Sequence, residues 1–159
     1  MDSLLDTVAG LPVHPLVVHA AVVLVPLAAL GAILMAFWRS FSRRFGVIVV
    51  ITAGVGAVAS FVAKESGEQL AARVGEPEQH AELGDVLPLI AFALFVIVLV
   101  FWLFDRGVPA NRARPAWLIA LAVVMVAAAA VAMFWTIRTG HTGAEATWSA
   151  IVENTRPPG

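Results

Sequence analysis

Four long apolar runs, at residues 15–38, 46–64, 86–104 and 115–137, constrain this chain more than any other feature. Each approaches or exceeds the roughly 18–20 residues that a helix needs to cross about 30 Å of hydrocarbon. Lipid offers the backbone no hydrogen-bond partners, so an unbroken apolar run that spans it must be helical. Composition agrees: 60% of the 159 residues are hydrophobic and 13% charged. Soluble domains run at about 45–50% apolar and about 25% charged. The expected fold class is therefore all-α, a bundle of four transmembrane helices forming a single domain over residues 1–159 of a multi-pass membrane protein.

The basic residues set an expected orientation. Arg39, Arg43 and Arg44 follow the first run; Arg106, Arg112 and Arg114 lie between the third and fourth. These are six of the ten Lys and Arg residues, accompanied by a single acid, Asp105. The positive-inside rule assigns both segments, read as loops, to the cytoplasm. Both termini and the partly helical loop 64–85 then face outward. Asp2 and Asp6 precede the first run without any basic residue, whereas a secretory signal requires a positive leading region. The first run is thus expected to stay in the membrane as a helix. Pro15 and Pro115 suit helix starts; Pro26 and Pro88 fall inside runs and are expected to kink them.

In the loop, the stretch from Lys64 to Val74 reads as an extension of the second helix, broken at Gly75, Glu76 and Pro77, with the third helix beginning near Glu78. Glu145 to Asn154 reads as a short interfacial helix anchored by Trp148, and Pro157 to Gly159 as disordered. Trp38, Trp102, Trp117, Trp135 and Trp148 read as an interfacial aromatic belt.

The candidate chemistry lies in histidine. His14, His19, His80 and His141 are the only four, and the topology carries all of them to the outer side. His19 lies more than one turn inside the first run, where an ionisable group needs a partner and marks a functional site. Five residues separate His14 from His19, about 140° around a helix. Both reach one site only if His14 sits on a non-helical segment before Pro15, where the α region is disfavoured. Neutral imidazole ligates metal ions and haem iron alike. The expected binding residues are His19 and His141 as the leading pair, with His80 and His14 as a second pair or supporting contacts. Glu65 and Glu68 are candidate partners behind them. Met133 reads as packing. The small residues Thr52 to Ala57 and Ala127 to Ala130 permit either close helix packing or a flat porphyrin.

Three readings stay open on the residues alone. One is a haem b protein passing electrons at the outer membrane face. A second is a transition metal ion site for binding or transport. The third is a structural or assembly subunit of a membrane complex. The absence of cysteine excludes disulfides, thiolate metal sites and covalently attached haem. No nucleophile–base pair or phosphate-binding loop supports a hydrolase or kinase, and a net charge of −1 gives no nucleic-acid footprint.

The segment from Leu11 to His19 resembles the opening of the bacterial family DUF2231, a domain of unknown function with an "HPxxVH" motif entering its first membrane helix. Ser66, Gly67 and Ala71 resemble the family's "TG…A" stretch. His80 stands where that family has a histidine before the third helix, and Gly140-His141-Thr142-Gly143-Ala144 resembles its closing "GHxGG". This chain departs at Ala20 and Ala21, where a phenylalanine and a proline are common, and at Ala144, which replaces the last glycine. Some members are fused to or neighboured by c-type cytochrome or Rieske domains. The resemblance therefore implies electron transfer in the bacterial inner (cytoplasmic) membrane, with an outer-face redox protein or respiratory complex as partner beside the lipid bilayer. Reporter fusions after Arg44 and Arg112 should read as cytoplasmic and fusions at Gly75 and Gly159 as external; a cytoplasmic C-terminus overturns this orientation.

Overall fold

The computed structural model describes residues 7–8, 11–75 and 78–155. A two-residue antiparallel pairing of β1 (Thr7–Val8) with β2 (Leu11–Pro12) precedes four helices. These are α1 (Val13–Phe37), α2 (Arg39–Val74), α3 (Glu78–Gly107) and α4 (Ala116–Asn154). All four are long and apolar enough to cross a membrane. At 1.5 Å per residue the shortest, α1, measures about 37 Å and the longest, α4, about 58 Å. The expectations for Met1 to Asp6, for Glu76 and Pro77, and for Pro157 to Gly159 lie outside the described residues.

The helices close into a ring. α1 packs on α2 and α4, and α3 packs on α2 and α4, which leaves α1 and α3 diagonal. The faces that meet are small on α1, with Ala21, Ala28, Ala29 and Ala32 buried. α3 answers with the larger Leu94, Val98 and Phe101, and α4 with Met125, Ala129 and Ala132. A Cβ at Gly56 would stand 3.3 Å from the Val25 backbone nitrogen, so this glycine sets the approach of α2 to α1. Gly54 lies beneath the Phe95 ring, and Ala127 and Ala130 are exposed. The buried small residues, Ala53, Gly56 and Ala57 of α2 and Ala129 of α4, thus serve helix packing. Outward, the bundle shows Val23, Leu27, Leu30, Ile51, Val58, Leu89, Val123 and Phe134. An apolar exterior around an equally apolar core fits a hydrocarbon solvent, because burial between helices and contact with lipid are then chemically alike.

Two boundaries differ from the sequence reading, at residues 39–44 and 145–154, while the end of α2 at Gly75 and the prolines inside α1 and α3 fall where expected. Residues 39–44 are not a loop. Trp38 alone is non-helical between α1 and α2 (φ −117°, ψ 103°), and α2 starts at Arg39. Pro26 and Pro88 lie inside continuous helices. Residues 145–154 continue α4 rather than forming a separate helix, and the helix runs straight through Gly140 and Gly143. α2 extends to Val74 and stops at Gly75, whose φ of 85° is open to glycine but strained for other residues.

The end of the bundle bearing the arginines is closed by one buried carboxylate. Asp105 is fully buried; Arg114 reaches it twice, Nε to Oδ1 at 2.8 Å and NH2 to Oδ2 at 3.0 Å. Ser42 Oγ donates to Oδ2 at 2.6 Å. The same guanidinium donates to the carbonyls of Met35, at 2.8 Å, and Ala36. Those carbonyls end α1 and have no acceptor role within it, so a cation there satisfies them and opposes the negative end of the helix dipole. Arg114 also lies 5.1 Å from the Phe101 ring centre. Arg39 donates to the Val108 and Pro109 carbonyls, at 2.7 and 2.9 Å, and to that of Arg112; Arg43 donates to Val108 at 3.1 Å. These bonds accompany the missing loop: the side chains of Arg39 and Arg43, in the first turns of α2, are held by carbonyls of the segment that follows α3. Removing one partner of a buried pair strands the other, at about 3–5 kcal/mol. Asp105→Ala should therefore lower stability by that amount, and Ser42→Ala by roughly 2 kcal/mol. Thermal unfolding in detergent checks the order; equal small losses would show the network to be inessential.

Candidate functional site

Two of the four histidines meet at the opposite end of the bundle. His14 is the second residue of α1, not part of a non-helical lead, and its side chain is half-buried. Its Nδ1 lies 2.8 Å from the Ala63 carbonyl on α2. His80, in the first turn of α3, places Nδ1 3.1 Å from the Thr139 carbonyl on α4 and 3.4 Å from Thr142 Oγ1. The two rings stand 6.3 Å apart between centres, with planes at 80°. A carbonyl oxygen only accepts, so in each ring Nδ1 carries the proton and donates. The neutral ring then bears its lone pair on Nε2.

The surroundings of the two rings repeat. Ala63 O also accepts from Ser66 Oγ at 3.1 Å, and Thr139 O from Thr142 Oγ1 at 3.1 Å. In both cases a hydroxyl residue three positions on shares the carbonyl with the imidazole. Glycine follows that hydroxyl residue each time. A Cβ at Gly67 would come within 3.0 Å of the His14 ring, and one at Gly143 within 2.9 Å of the His80 ring. The hairpin α1–α2 and the hairpin α3–α4 therefore each supply one histidine at a helix start and one Ser/Thr-Gly seat for it. The two hairpins do not align convincingly as sequences, yet they build equivalent halves of this site.

His19 and His141 do not join this pair. His19 is exposed and donates Nδ1–H to the Pro15 carbonyl of its own helix at 2.5 Å. The five-residue spacing from His14 accounts for this, since both are helical and point about 140° apart. His141 is exposed on α4, with Nε2 3.3 Å from Glu145 Oε1. Gly143, two residues beyond His141 in the closing motif, packs against the His80 ring. Glu65 and Glu68 lie on the surface of α2, where Glu68 pairs with Lys64 at 2.7 Å; Lys64 also bridges to Asp85 on α3. Met133 is partly buried against the core. Trp135 is half-buried and donates Nε1–H to the Leu83 carbonyl at 3.1 Å, which ties α4 to α3 just beneath the histidines. Among the described residues no three His, Asp or Glu side chains come together as a metal ligand set.

Sequence reasoning missed the partners of the pair: the Ala63 and Thr139 carbonyls, the hydroxyls of Ser66 and Thr142, and the seats at Gly67 and Gly143. The two Ser/Thr-Gly steps were visible as motif residues, but a backbone acceptor leaves no mark in a sequence.

The architecture and site define a four-helix membrane bundle with a paired-histidine mouth. The chain belongs to the DUF2231 family, described as a predicted membrane protein, which it matches over residues 10–156. No curated protein and no solved structure matches it. Gly143→Val should push the His80 imidazole off the Thr139 carbonyl while leaving His19 undisturbed. Nitrogen-15 spectra of histidine-labelled protein check this; an unchanged His80 signal would contradict the tight seat.

Proposed function

We propose that the chain is a membrane-embedded cofactor protein in which His14 and His80 hold one metal centre, most simply the iron of a b-type haem. The observation that carries this reading is the shared state of the two rings. Each donates Nδ1–H to a carbonyl, as ligating histidines do, and so keeps the Nε2 lone pair for a metal. The two ring centres lie 6.3 Å apart, so His14 and His80 would hold one metal centre between them with both Nε2 atoms turned toward it.

The donor count favours haem over a bare ion. Protein sites for zinc and comparable ions take three or four side-chain ligands. A porphyrin supplies four nitrogens itself and asks the protein for two axial ligands at most. When bound, it supplies a one-electron couple. The residues of this chain fix the ligands: Ala63 and Thr139 orient the rings, and Ser66 and Thr142 hold the accepting carbonyls. Gly67 and Gly143 allow α2 and α4 to close against the imidazoles. The site lies at the end that the arginine distribution assigns to the outer face of the bacterial cytoplasmic membrane, within reach of a soluble or membrane-bound redox partner there.

Absorption spectroscopy of detergent-purified protein tests the proposal. A Soret band and reducible α bands are expected. His14→Ala and His80→Ala should each abolish them, whereas His19→Ala and His141→Ala should retain them. Colourless protein carrying a stoichiometric metal ion would move the assignment to a non-haem site. Colourless, metal-free protein that co-purifies with other subunits would make it a structural subunit.

A further inference from the structure

The arginine end of the bundle carries positive charge that its own carboxylates do not neutralise. Asp105, in the last turn of α3, is the only acid within residues 38–46 and 104–115 at this end, and Arg114 occupies it. Arg39 and Arg43 bond to backbone carbonyls, which leaves their full charges in place. Beside them an open groove of about 450 Å³ is lined by Trp38, Ser40, Phe41, Arg44 and Phe45. The groove follows from the one-residue turn at Trp38, which leaves the indole exposed at the corner between α1 and α2. Phe41 and Phe45 stack one turn apart with ring centres at 5.2 Å, and the Arg44 guanidinium lies 5.3 Å from the Phe45 ring centre. Arg44 is exposed and faces no carboxylate on its own helix, because residues 39–46 contain none.

We infer that this groove binds an anionic phospholipid of the surrounding bilayer, with its phosphate at Arg44 and Ser40 and its upper acyl chain along Trp38, Phe41 and Phe45. Charge complementarity selects the occupant: a cation without a carboxylate partner, a hydroxyl donor and an aromatic wall match a negative headgroup continuous with a hydrocarbon tail. A zwitterionic lipid would bring its own cation to the guanidinium, and a free anion would leave the aromatic wall uncovered. Basic pockets at the ends of membrane helices recognise anionic headgroups in this way. Guanidinium is suited to the role because it presents several donors in a planar fork to phosphate oxygens. The inference is independent of whether the histidine pair holds a metal.

Tryptophan quenching in nanodiscs tests it, because Trp38 is itself part of the groove. The full chain is reconstituted in phosphatidylcholine containing a small fraction of brominated phosphatidylglycerol, or the same fraction of brominated phosphatidylcholine. Both leaflets carry the probe, so the result does not depend on orientation. Stronger quenching by the anionic lipid is expected, and Trp38→Phe should remove the excess. Arg44→Gln should weaken the preference roughly fivefold, the worth of one basic residue at an anionic surface. Arg112→Gln, which removes the same charge outside the groove, should leave it nearly unchanged, and Arg44→Lys should restore part of it. An equal loss in Arg44→Gln and Arg112→Gln would reduce the effect to diffuse attraction and overturn the site. Complete displacement by millimolar inorganic phosphate would identify a free-anion site and overturn the lipid assignment. Equal quenching by both brominated lipids would do so as well.

Discussion

Hydrocarbon cannot hydrogen-bond, and every other feature of this protein answers to that fact. Inside the bilayer each peptide group must find its partner within its own helix. The runs are therefore uninterrupted, and the polar chemistry is displaced to the two ends, where helices start and stop with unpaired backbone groups. At one end α1 finishes with its last carbonyls met by the Arg114 guanidinium, and the segment that follows α3 gives its carbonyls to Arg39 and Arg43. At the other, α1 and α3 begin, and their first turns carry the imidazoles that reach carbonyls on α2 and α4. Arginine and histidine thus perform related work here: both fasten one helix to a neighbour by donating to a carbonyl, as Arg114 does to Met35 and His14 to Ala63.

The two ends differ in what their polar groups leave over. Arg114, Asp105 and Ser42 form a closed set with the carboxylate wholly buried, a lock in which the charges answer one another. The histidine pair is only half-buried, and each ring satisfies a carbonyl with one nitrogen while keeping a lone pair on the other. A completed network rigidifies a bundle. An incomplete one is suited to a ligand. This contrast is the reason the proposed ligand site is placed at the mouth and not at the lock.

Much of the fold was legible because hydropathy is additive along a chain and needs no knowledge of contacts. Four helices followed from it; the end of α2 at Gly75 and the start of α3 near Glu78 came from the helix-breaking residues between them. Side-chain direction was harder. The choice of His19 used its depth along the helix, and reconciled the angle of about 140° to His14 by taking His14 as non-helical. The pair of rings that meets in the structure depends on His14 being helical, against the local preference of a residue before proline. Residues 39–44 misled for a related reason. A run of arginines reads as a solvated loop, yet here Arg39 and Arg43 are bound by carbonyls of a segment about seventy residues away, a tertiary effect with no local signal. The small residues of α2 carried both readings until Gly56 was seen against the backbone of α1.

The equivalence of the two hairpins at the mouth has a thermodynamic consequence. Each hairpin holds its own histidine: His14 sits on α2 and His80 on α4, so neither half needs the other to orient its ring. What neither half possesses is the second ring, which arrives only when α1–α2 docks against α3–α4. Whatever engages both rings therefore binds the docked state and not the separated hairpins. By mass action it stabilises their association, by an amount that grows with the logarithm of its concentration over its dissociation constant. Occupancy of the mouth by any group that bridges the two rings and closure of the bundle would in this sense be a single equilibrium, with tertiary assembly answering to the supply of that group.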